Sequence, residues 1–169
     1  MVANLTVGKK KYAEVEEEMR GVATAAECLR ERLLLLMDRD TEAFDRVMAC
    51  YRMPQEDEAQ KEARQRALQE ALEQAAEAAL EICRAAHEAM PLAQAVAERG
   101  NAMLVSDAGC AAAFAEAALA AALLTVKINC NALADRKRAE ELWAEGQWLE
   151  REVMVARDAT LQIVYGRLG

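Results

Sequence analysis

Residues 100–126 read GNAMLVSDAGCAAAFAEAALAAALLTV, a short polar break followed by a nearly all-apolar, alanine-rich segment. Alanine and leucine are strong helix formers, so this segment predicts a long helix with Ser106 as its N-cap. The free backbone N–H groups at the mouth of such a helix, with the positive end of its dipole, suit an anionic or strongly hydrogen-bonding ligand. We therefore expect function near the break.

The rest of the chain has the same helix-favouring composition. Its 169 residues include only two prolines and seven glycines, which leaves few places to end a helix. Aromatic and β-branched residues are scarce, while Ala, Leu, Glu, Arg and Gln dominate. We predict an all-α fold that forms one domain over residues 1–169.

Charge and hydropathy exclude several classes of protein. A net charge of -8 opposes the phosphate-neutralising surface that nucleic-acid binding needs, so no nucleic-acid partner is expected. The longest apolar stretch, residues 108–126, contains Glu116 and is mostly alanine, which favours a buried helix over a membrane span. The N-terminus carries no basic region leading into an apolar run, so we expect a soluble, cytoplasmic protein without a membrane partner.

The five cysteines do not form a metal or disulfide pattern. They contain no CxxC pair, they are accompanied by a single His, and their odd number does not close a disulfide set. We interpret them as small buried apolar residues and expect no metal site. They are Cys28, Cys50, Cys83, Cys110 and Cys130.

Helix start and stop signals divide the chain into five or six helices. Met53-Pro54 ends one helix, the acidic residues 56–58 open the next, and Asp135 is a good N-cap for the last. Short connections between them favour an antiparallel bundle. The predicted helices cover about residues 12–37, 40–52, 58–99 with a disturbance at Pro91, 106–129 and 135–168.

Asp40 interrupts an apolar stripe. At about 100° per residue it falls on the same helix face as Met37, Phe44 and Tyr51. A carboxylate in such a stripe has to be paired, hydrogen-bonded or protonated, and desolvation raises a carboxyl pKa toward the range useful for proton transfer. The alternative interpretation is that Asp40 caps a helix that restarts after a break at Asp38.

Other polar residues also allow two interpretations. Lys9 to Lys11 form a positive cluster, which by default is a solvated loop. Ser106 and Asp107 could be no more than a helix cap. Asn129 shares a face with Thr125 and Val126, so a buried amide there needs hydrogen-bond partners.

Five segments in order resemble one family. Together they resemble the cyclodeaminase domain of formiminotransferase-cyclodeaminase and its free-standing bacterial relatives, including methenyltetrahydrofolate cyclohydrolases, over about residues 1–145. The segments are Asn4–Tyr12 (NLTVGKKKY), Asp38–Asp45 (DRDTEAFD), Tyr51–Pro54 (YRMP), Gly100–Gly109 (GNAMLVSDAG) and Val126–Asn129 (VKIN).

The resemblance implies an all-helical homodimer that acts on one-carbon units carried by tetrahydrofolate. The tetrahydrofolate derivative is the substrate, and neither a metal nor a tightly bound cofactor is expected. Two related reactions are implied: N10 of 5-formiminotetrahydrofolate attacks the formimino carbon with loss of ammonia, or water opens 5,10-methenyltetrahydrofolate to 10-formyltetrahydrofolate. The sequence does not separate them.

The same resemblance assigns candidate roles. Asp40 is the leading candidate for proton transfer and Asp107 the second. Lys9 and Lys10 are candidates for the anionic glutamate tail of folate. The further substrate-binding candidates, which supply neutral donors and acceptors for a pterin edge or belong to the Asp40 motif, are Asp38, Phe44, Asn101, Ser106 and Asn129.

Some positions depart from the family pattern. The family normally opens with a Pro-Gly-Gly-Gly-Ser segment and a helix that lead into the position of Met1, and we expect this chain to lack both. Thr125 stands where the family usually has Asn, and Ala79 where it often has Pro. The alternative to an enzyme is therefore a non-catalytic helical dimerisation protein of the same family.

Overall fold

A computed structural model describes residues 1–169 as an all-α chain without strands, which confirms the predicted fold class. It contains four long helices rather than the five or six predicted. These are α1 (Glu16–Tyr51), α2 (Glu58–Arg99), α3 (Val105–Ala132) and α4 (Arg136–Leu168), with short 3-10 turns at Lys10–Val15 and Ala102–Leu104. Consecutive helices are joined by short connections and run antiparallel.

The predicted break at Asp38 does not exist, because α1 continues through it. Residues 38–41 contain no Gly or Pro, and the flanking Leu36 and Ala43 are buried where α1 packs on α2. Packing of α1 on α2 therefore keeps residues 38–41 helical although their side chains are polar. Asp40 is inside a helix and is not an N-cap.

Pro91 does not end α2 either. It lies inside a helix of 42 residues, between the buried residues Met90 and Ala93. The predicted start is confirmed, since the Asp57 side chain accepts from the backbone N–H of Gln60 at 2.8 Å. Packing of α2 against every other long helix outweighs the hydrogen bond that Pro91 removes.

The core lies along α2. Both α1 and α3 pack on α2 but make at most marginal contact with each other, while α4 packs on α2 and α3. The alanines at 71, 75, 76 and 79 on α2 are buried and allow the neighbouring backbones to approach closely. This arrangement leaves a trough between α1 and α3, with α2 as its floor.

One face of α3 is exposed over about half of its circumference, so the prediction of a buried helix is confirmed only for the other face. Ala108, Leu119 and Val126 are buried, but Phe114 and Leu124 are each 74% exposed. By length and composition alone the segment Ala102–Ala132 could cross a membrane, and 33% of its most apolar window is buried inside the chain. Its Glu116 forms an ion pair with Arg157 of α4 at 3.4 Å.

The start of α4 follows the sequence prediction. The Asp135 side chain accepts from the backbone N–H of Arg138 at 3.0 Å and caps the helix. Side chains of α4 also join an ion-pair cluster on α2, in which Arg84 contacts Glu145 at 2.6 Å. The cluster fixes α4 in register with α2.

The cysteines are not uniformly buried as predicted. Cys50, Cys83 and Cys130 lie in the core, whereas Cys28 and Cys110 are exposed. Cys28 lies on α1 and Cys110 lies on the exposed face of α3. Which face of a helix is covered depends on tertiary packing, so the spacing of the cysteines in the sequence does not predict their exposure.

Candidate functional site

Two clefts open in the trough between α1 and α3. Each is lined by residues of α1, α2 and α3, because α1 and α3 diverge from the same floor. One contains Asp40 and the other contains Asp107, so we call them the Asp40 cleft and the Asp107 cleft.

The Asp40 cleft has a volume of about 520 Å³. Asp40, Phe44 and Tyr51 line it from α1, at the helical spacing that the sequence stripe predicted. Phe44 is 61% exposed and Tyr51 is 49% exposed, so two aromatic rings border a cavity with both aliphatic and polar lining residues. The remaining lining residues are Thr41, Val47, Met48, Leu72, Ala75, Thr125, Ile128, Asn129 and Ala132.

Asp40 is half-buried and has neither a hydrogen bond nor an ion pair within the chain. Its nearest polar neighbour in sequence, Thr41, donates its hydroxyl to the Met37 carbonyl at 3.1 Å instead. The carboxylate is therefore free to contact a bound molecule. A partly desolvated carboxylate without a partner is suited to accept a proton or to stabilise a cation.

Asn129 lies across the cleft on α3, and its amide has a defined orientation. Its Nδ2 donates to the backbone carbonyl of Thr125 at 2.9 Å. A carbonyl oxygen can only accept, so this bond fixes which end of the amide is the nitrogen. The Oδ1 atom of Asn129 is thereby left as an acceptor for the cleft.

The Asp107 cleft is smaller, about 420 Å³, and mostly apolar. Val2 and Val22 are among its lining residues, and its charged side chains besides Asp107 are Glu27 and Arg30, which bond each other at 2.6 Å. Asp107 is half-buried in the first turn of α3 and makes no hydrogen bond or ion pair. It is the second unpaired carboxylate on the trough.

The turn before α3 is not the open anion seat that the sequence suggested. Its backbone N–H groups donate inside the protein: Asn101 to the Thr6 hydroxyl at 2.9 Å, Ala102 to the Tyr12 hydroxyl at 2.9 Å, and Met103 to Asn101 Oδ1 at 3.1 Å. The Asn101 Nδ2 atom donates to the Leu5 carbonyl at 3.3 Å. Asn101 is thus occupied as a cap, and Ser106 is not the N-cap of α3, since the helix begins at Val105.

The remaining candidates lie outside both clefts. Lys9, Lys10, Asp38 and Ser106 are exposed and line neither cavity. Lys9 and Lys10 are nevertheless at the Asp107 end of the molecule, because the adjoining Tyr12 bonds the turn that precedes α3. No group of three or more His, Cys, Asp or Glu side chains is arranged to hold a metal ion.

The two unpaired carboxylates are far apart within one chain. Asp107 and Asn129 lie near opposite ends of α3, which at 1.5 Å per residue separates them by about 33 Å. Asp40 lies beside Asn129 in the same cleft. One chain therefore presents two separate clefts and not a single cluster.

Sequence reasoning missed two contributors. Tyr51 was on the predicted stripe with Asp40, so helical periodicity could have named it as a site residue. Tyr12 belongs to the first of the five segments, but its contact with Ala102 joins residues that are distant in sequence and leaves no local signal.

Comparison with protein families gives one match. The family described as formiminotransferase-cyclodeaminase matches residues 1–147. The match covers α1 to α3 and the first part of α4, and therefore both clefts.

Individual proteins give the same result. The chain is 40% identical over 168 residues to a methenyltetrahydrofolate cyclohydrolase from Methylorubrum extorquens, covering 99% of this chain and 81% of that protein. It is 27% identical over 135 residues to the rat formimidoyltransferase-cyclodeaminase, covering 80% of this chain and 25% of that protein. The crystal structure of formiminotetrahydrofolate cyclodeaminase from Thermotoga maritima superposes with a TM-score of 0.87 at 29% identity, covering 100% of this chain and 80% of that one.

Proposed function

The chain belongs to the formiminotransferase-cyclodeaminase family, and from this premise we propose that it is a folate-dependent enzyme that hydrolyses 5,10-methenyltetrahydrofolate to 10-formyltetrahydrofolate. The observation that carries the proposal is the 40% identity, over 99% of the chain, to a protein named for that reaction. The unpaired Asp40 carboxylate beside the Asn129 acceptor gives the reaction a site in which to occur.

The reaction needs one base and no redox step. The substrate carries a cationic carbon between N5 and N10, and a water oxygen forms a bond to that carbon while one water proton goes to the base. The resulting hydroxyl proton then moves to N5 as the bond between carbon and N5 breaks, leaving the formyl group on N10. One proton is released in total. Asp40 is our candidate for the base and for electrostatic stabilisation of the cationic carbon.

The Asp40 cleft suits the pterin part of the substrate. Asn129 Oδ1 and the Asp40 carboxylate are both acceptors, so they select a ligand edge that presents N–H donors or positive charge. The exposed rings of Phe44 and Tyr51 can pack on the flat face of a bicyclic ring. A donor-bearing, planar and partly cationic ligand matches a reduced pterin with a methenyl carbon.

We further propose that the protein is a homodimer joined through the exposed face of α3. The exposed positions repeat at helical spacing and form a stripe of small and large apolar side chains, which marks an interaction surface. Glu116, the single charged residue between positions 108 and 126, is already paired with Arg157 of the same chain. The stripe consists of Cys110, Phe114, Ala117, Ala121, Leu124 and Ile128.

A two-fold dimer would bring the two clefts together. If α3 packs antiparallel on its copy with Ala118 at the centre, Asp107 of one subunit lies opposite Asn129 of the other. The same register sets Phe114 near Ala121, a large side chain against a small one. The proposed active site is then composite, with Asp40 from one subunit and Asp107 from its partner.

The Lys9 and Lys10 side chains fit this arrangement. They are exposed, they form no ion pair, and they belong to the Asp107 end of the chain. In the composite site they would lie beside a substrate whose pterin occupies the partner's Asp40 cleft. An anionic glutamate tail is the part of folate that two ammonium groups would bind.

Cyclodeamination of 5-formiminotetrahydrofolate is the second candidate. The fold is shared with a formiminotetrahydrofolate cyclodeaminase at a TM-score of 0.87. The two reactions pass through the same carbon and differ in the nucleophile, water in one and N10 in the other. The same carboxylate could take the proton in either.

A paired assay separates the candidates. Loss of the near-ultraviolet absorbance of methenyltetrahydrofolate is measured above the uncatalysed rate, and ammonia release from 5-formiminotetrahydrofolate is measured on the same preparation. We expect fast loss of the methenyl absorbance and little ammonia. Ammonia release without methenyl hydrolysis would support the cyclodeaminase, and no turnover of either folate would leave a non-catalytic member of the family.

A further inference from the structure

The turn Gly100–Met103 is held from two sides by residues outside the clefts. Tyr12 contacts it from the N-terminal segment, and Arg167 contacts it from the last turn of α4. Neither residue lines the Asp40 cleft or the Asp107 cleft. We propose that Tyr12 and Arg167 are positioning residues that fix the start of α3 and with it the Asp107 half of the active site.

The Tyr12 hydroxyl makes two bonds to the turn. It accepts from the backbone N–H of Ala102 at 2.9 Å and lies 3.5 Å from Asn101 Oδ1, to which it can donate. Asn101 Oδ1 also accepts from the Met103 N–H. The Tyr12 hydroxyl therefore contacts both the Ala102 backbone and the Asn101 side chain that caps Met103. The ring of Tyr12 packs against the small core cluster that contains Val2.

Arg167 holds the other side of the turn. Its guanidinium donates to the Ala97 carbonyl and, at 3.3 Å, to the Gly100 carbonyl. Carbonyls at the C-terminus of a helix lack intrahelical partners and carry the negative end of its dipole, so a guanidinium there stabilises the end of α2. Arg167 lies beyond residues 1–147, the range over which the family match extends.

The turn is also packed closely against the end of α2 and the N-terminal segment. A Cβ atom at Gly100 would lie 2.5 Å from the Val96 carbonyl oxygen and 3.0 Å from Val2 Cγ1, so the backbone there is already in close contact. Val105 starts α3 directly after the turn, and Asp107 is in the first turn of that helix. A shift of the turn is therefore transmitted to the Asp107 carboxylate.

The inference rests on the proposed function, because it needs Asp107 to contribute to turnover. Small displacements of a catalytic group lower kcat steeply, while binding in the Asp40 cleft is retained. Loss of a positioning contact should accordingly lower kcat and leave KM nearly unchanged. A contact with a purely structural role would lower the melting temperature without this split.

The test compares Tyr12→Phe and Arg167→Met with the wild-type protein. Amide hydrogen exchange over residues 100–104 and steady-state hydrolysis of methenyltetrahydrofolate are measured on the same samples. We expect exchange in the turn to rise about tenfold and kcat to fall about tenfold, with KM changed less than threefold. Arg167→Lys, which keeps the charge and one donor group, should restore part of kcat.

Matched controls come from α4. Tyr165→Phe and Arg151→Met change exposed residues without hydrogen bonds or ion pairs and should alter neither exchange nor kcat. Unchanged exchange in the Tyr12 and Arg167 variants would overturn the proposal, and so would faster exchange with unchanged kcat. If the wild-type protein turns over neither folate, the proposed function is wrong and the positioning role is wrong with it. The exchange data would in that case still show whether the two contacts hold the turn.

Discussion

Asp40 is the residue on which the proposed chemistry depends most. It is half-buried, unpaired and accompanied by two exposed aromatic rings and one oriented amide. An unpaired carboxylate in a mostly apolar cavity is costly in the free protein, so a bound cation that pairs with it gains more than it would in water. This residue should therefore contribute to both proton transfer and stabilisation of the cationic carbon.

Replacing Asp40 by Asn removes the proposed base and keeps the shape of the side chain. We expect kcat for methenyltetrahydrofolate hydrolysis to fall by about 10²- to 10⁴-fold, the usual contribution of a general base. The measurement is the loss of near-ultraviolet absorbance above the uncatalysed rate. Asp45→Asn, an exposed carboxylate on the same helix outside both clefts, serves as the control. Full turnover by the Asp40 variant would assign the base elsewhere.

At the residue scale, helical periodicity gave the right face for Asp40 and Phe44, because a spacing of about 100° per residue is a local property. Asn101 was assigned to substrate binding from the family resemblance, which does not report its contacts within the chain. In the structure its polar atoms bond Leu5, Tyr12 and Met103. Two of these three partners come from the N-terminal segment, and no local pattern in the sequence reports such pairing.

At the scale of elements, the ion pairs between α2 and α4 show how the helices are held in register. Arg84 contacts Glu77, Glu81 and Glu145 at 2.6–2.8 Å. The Arg84 guanidinium donates hydrogen bonds to the Glu145 carboxylate. This bonding raises the pKa of Arg84 and lowers the pKa of the Glu145 carboxyl. Glu145 is the member on α4, so it links the two helices directly.

This pair predicts a pH-dependent stability. Because the pKa of Glu145 is lower in the folded protein than its ordinary value of 4.5, its contribution is present above that pH and is lost as the pH falls below it. Glu145→Gln should lower the free energy of unfolding at pH 7 by about 0.5–1 kcal/mol, a modest effect because the side chain is partly exposed. Urea unfolding at pH 7 and at pH 3 measures both values.

The difference between wild type and Glu145→Gln should be smaller at pH 3 than at pH 7, because the carboxyl takes up a proton as the pH falls through its lowered pKa. Glu152→Gln, an exposed glutamate outside the ion pairs, is the matched control and should leave stability unchanged at both pH values. An equal loss of stability at pH 7 and pH 3 would show that Glu145 acts through packing and not through charge.

Element boundaries were predictable only where they depend on local signals. The helix start at the acidic residues 56–58 and the cap at Asp135 were found because negative charge and N-cap side chains favour a helix N-terminus. In the structure Asp57 and Asp135 each accept from a backbone N–H three residues on. The break at Asp38 and the disturbance at Pro91 were predicted and do not end a helix. In both places buried residues on each side pack against a neighbouring helix and keep the chain helical. Helix propensity does not include this tertiary effect.

At the scale of the whole molecule, the exposed face of α3 is the feature that composition could not describe. Apolar residues all around a helix predict burial, but they do not say whether the covering surface belongs to the same chain or to a second copy. Phe114, Leu124 and Ile128 are each more than two-thirds exposed. The proposed dimer would cover them and bring the two clefts together, which a single chain cannot do.

Leu124→Glu should therefore both dissociate the proposed dimer and abolish turnover. A charge in the centre of a closed apolar interface is left without a partner, so association is strongly disfavoured. Sedimentation velocity measures the oligomeric state. The control is Leu35→Glu, at an exposed apolar position on α1 outside both clefts. A monomeric Leu124 variant with full turnover would contradict the composite site.

The most direct measurement mixes two inactive variants. Asp40→Asn and Asp107→Asn proteins are unfolded together, refolded and assayed for methenyltetrahydrofolate hydrolysis beside each variant alone. In a composite site every mixed dimer has one site with both carboxylates intact, so random pairing should restore about one quarter of the wild-type activity. Mixed dimers that form but remain as inactive as either variant alone would contradict a site shared between subunits.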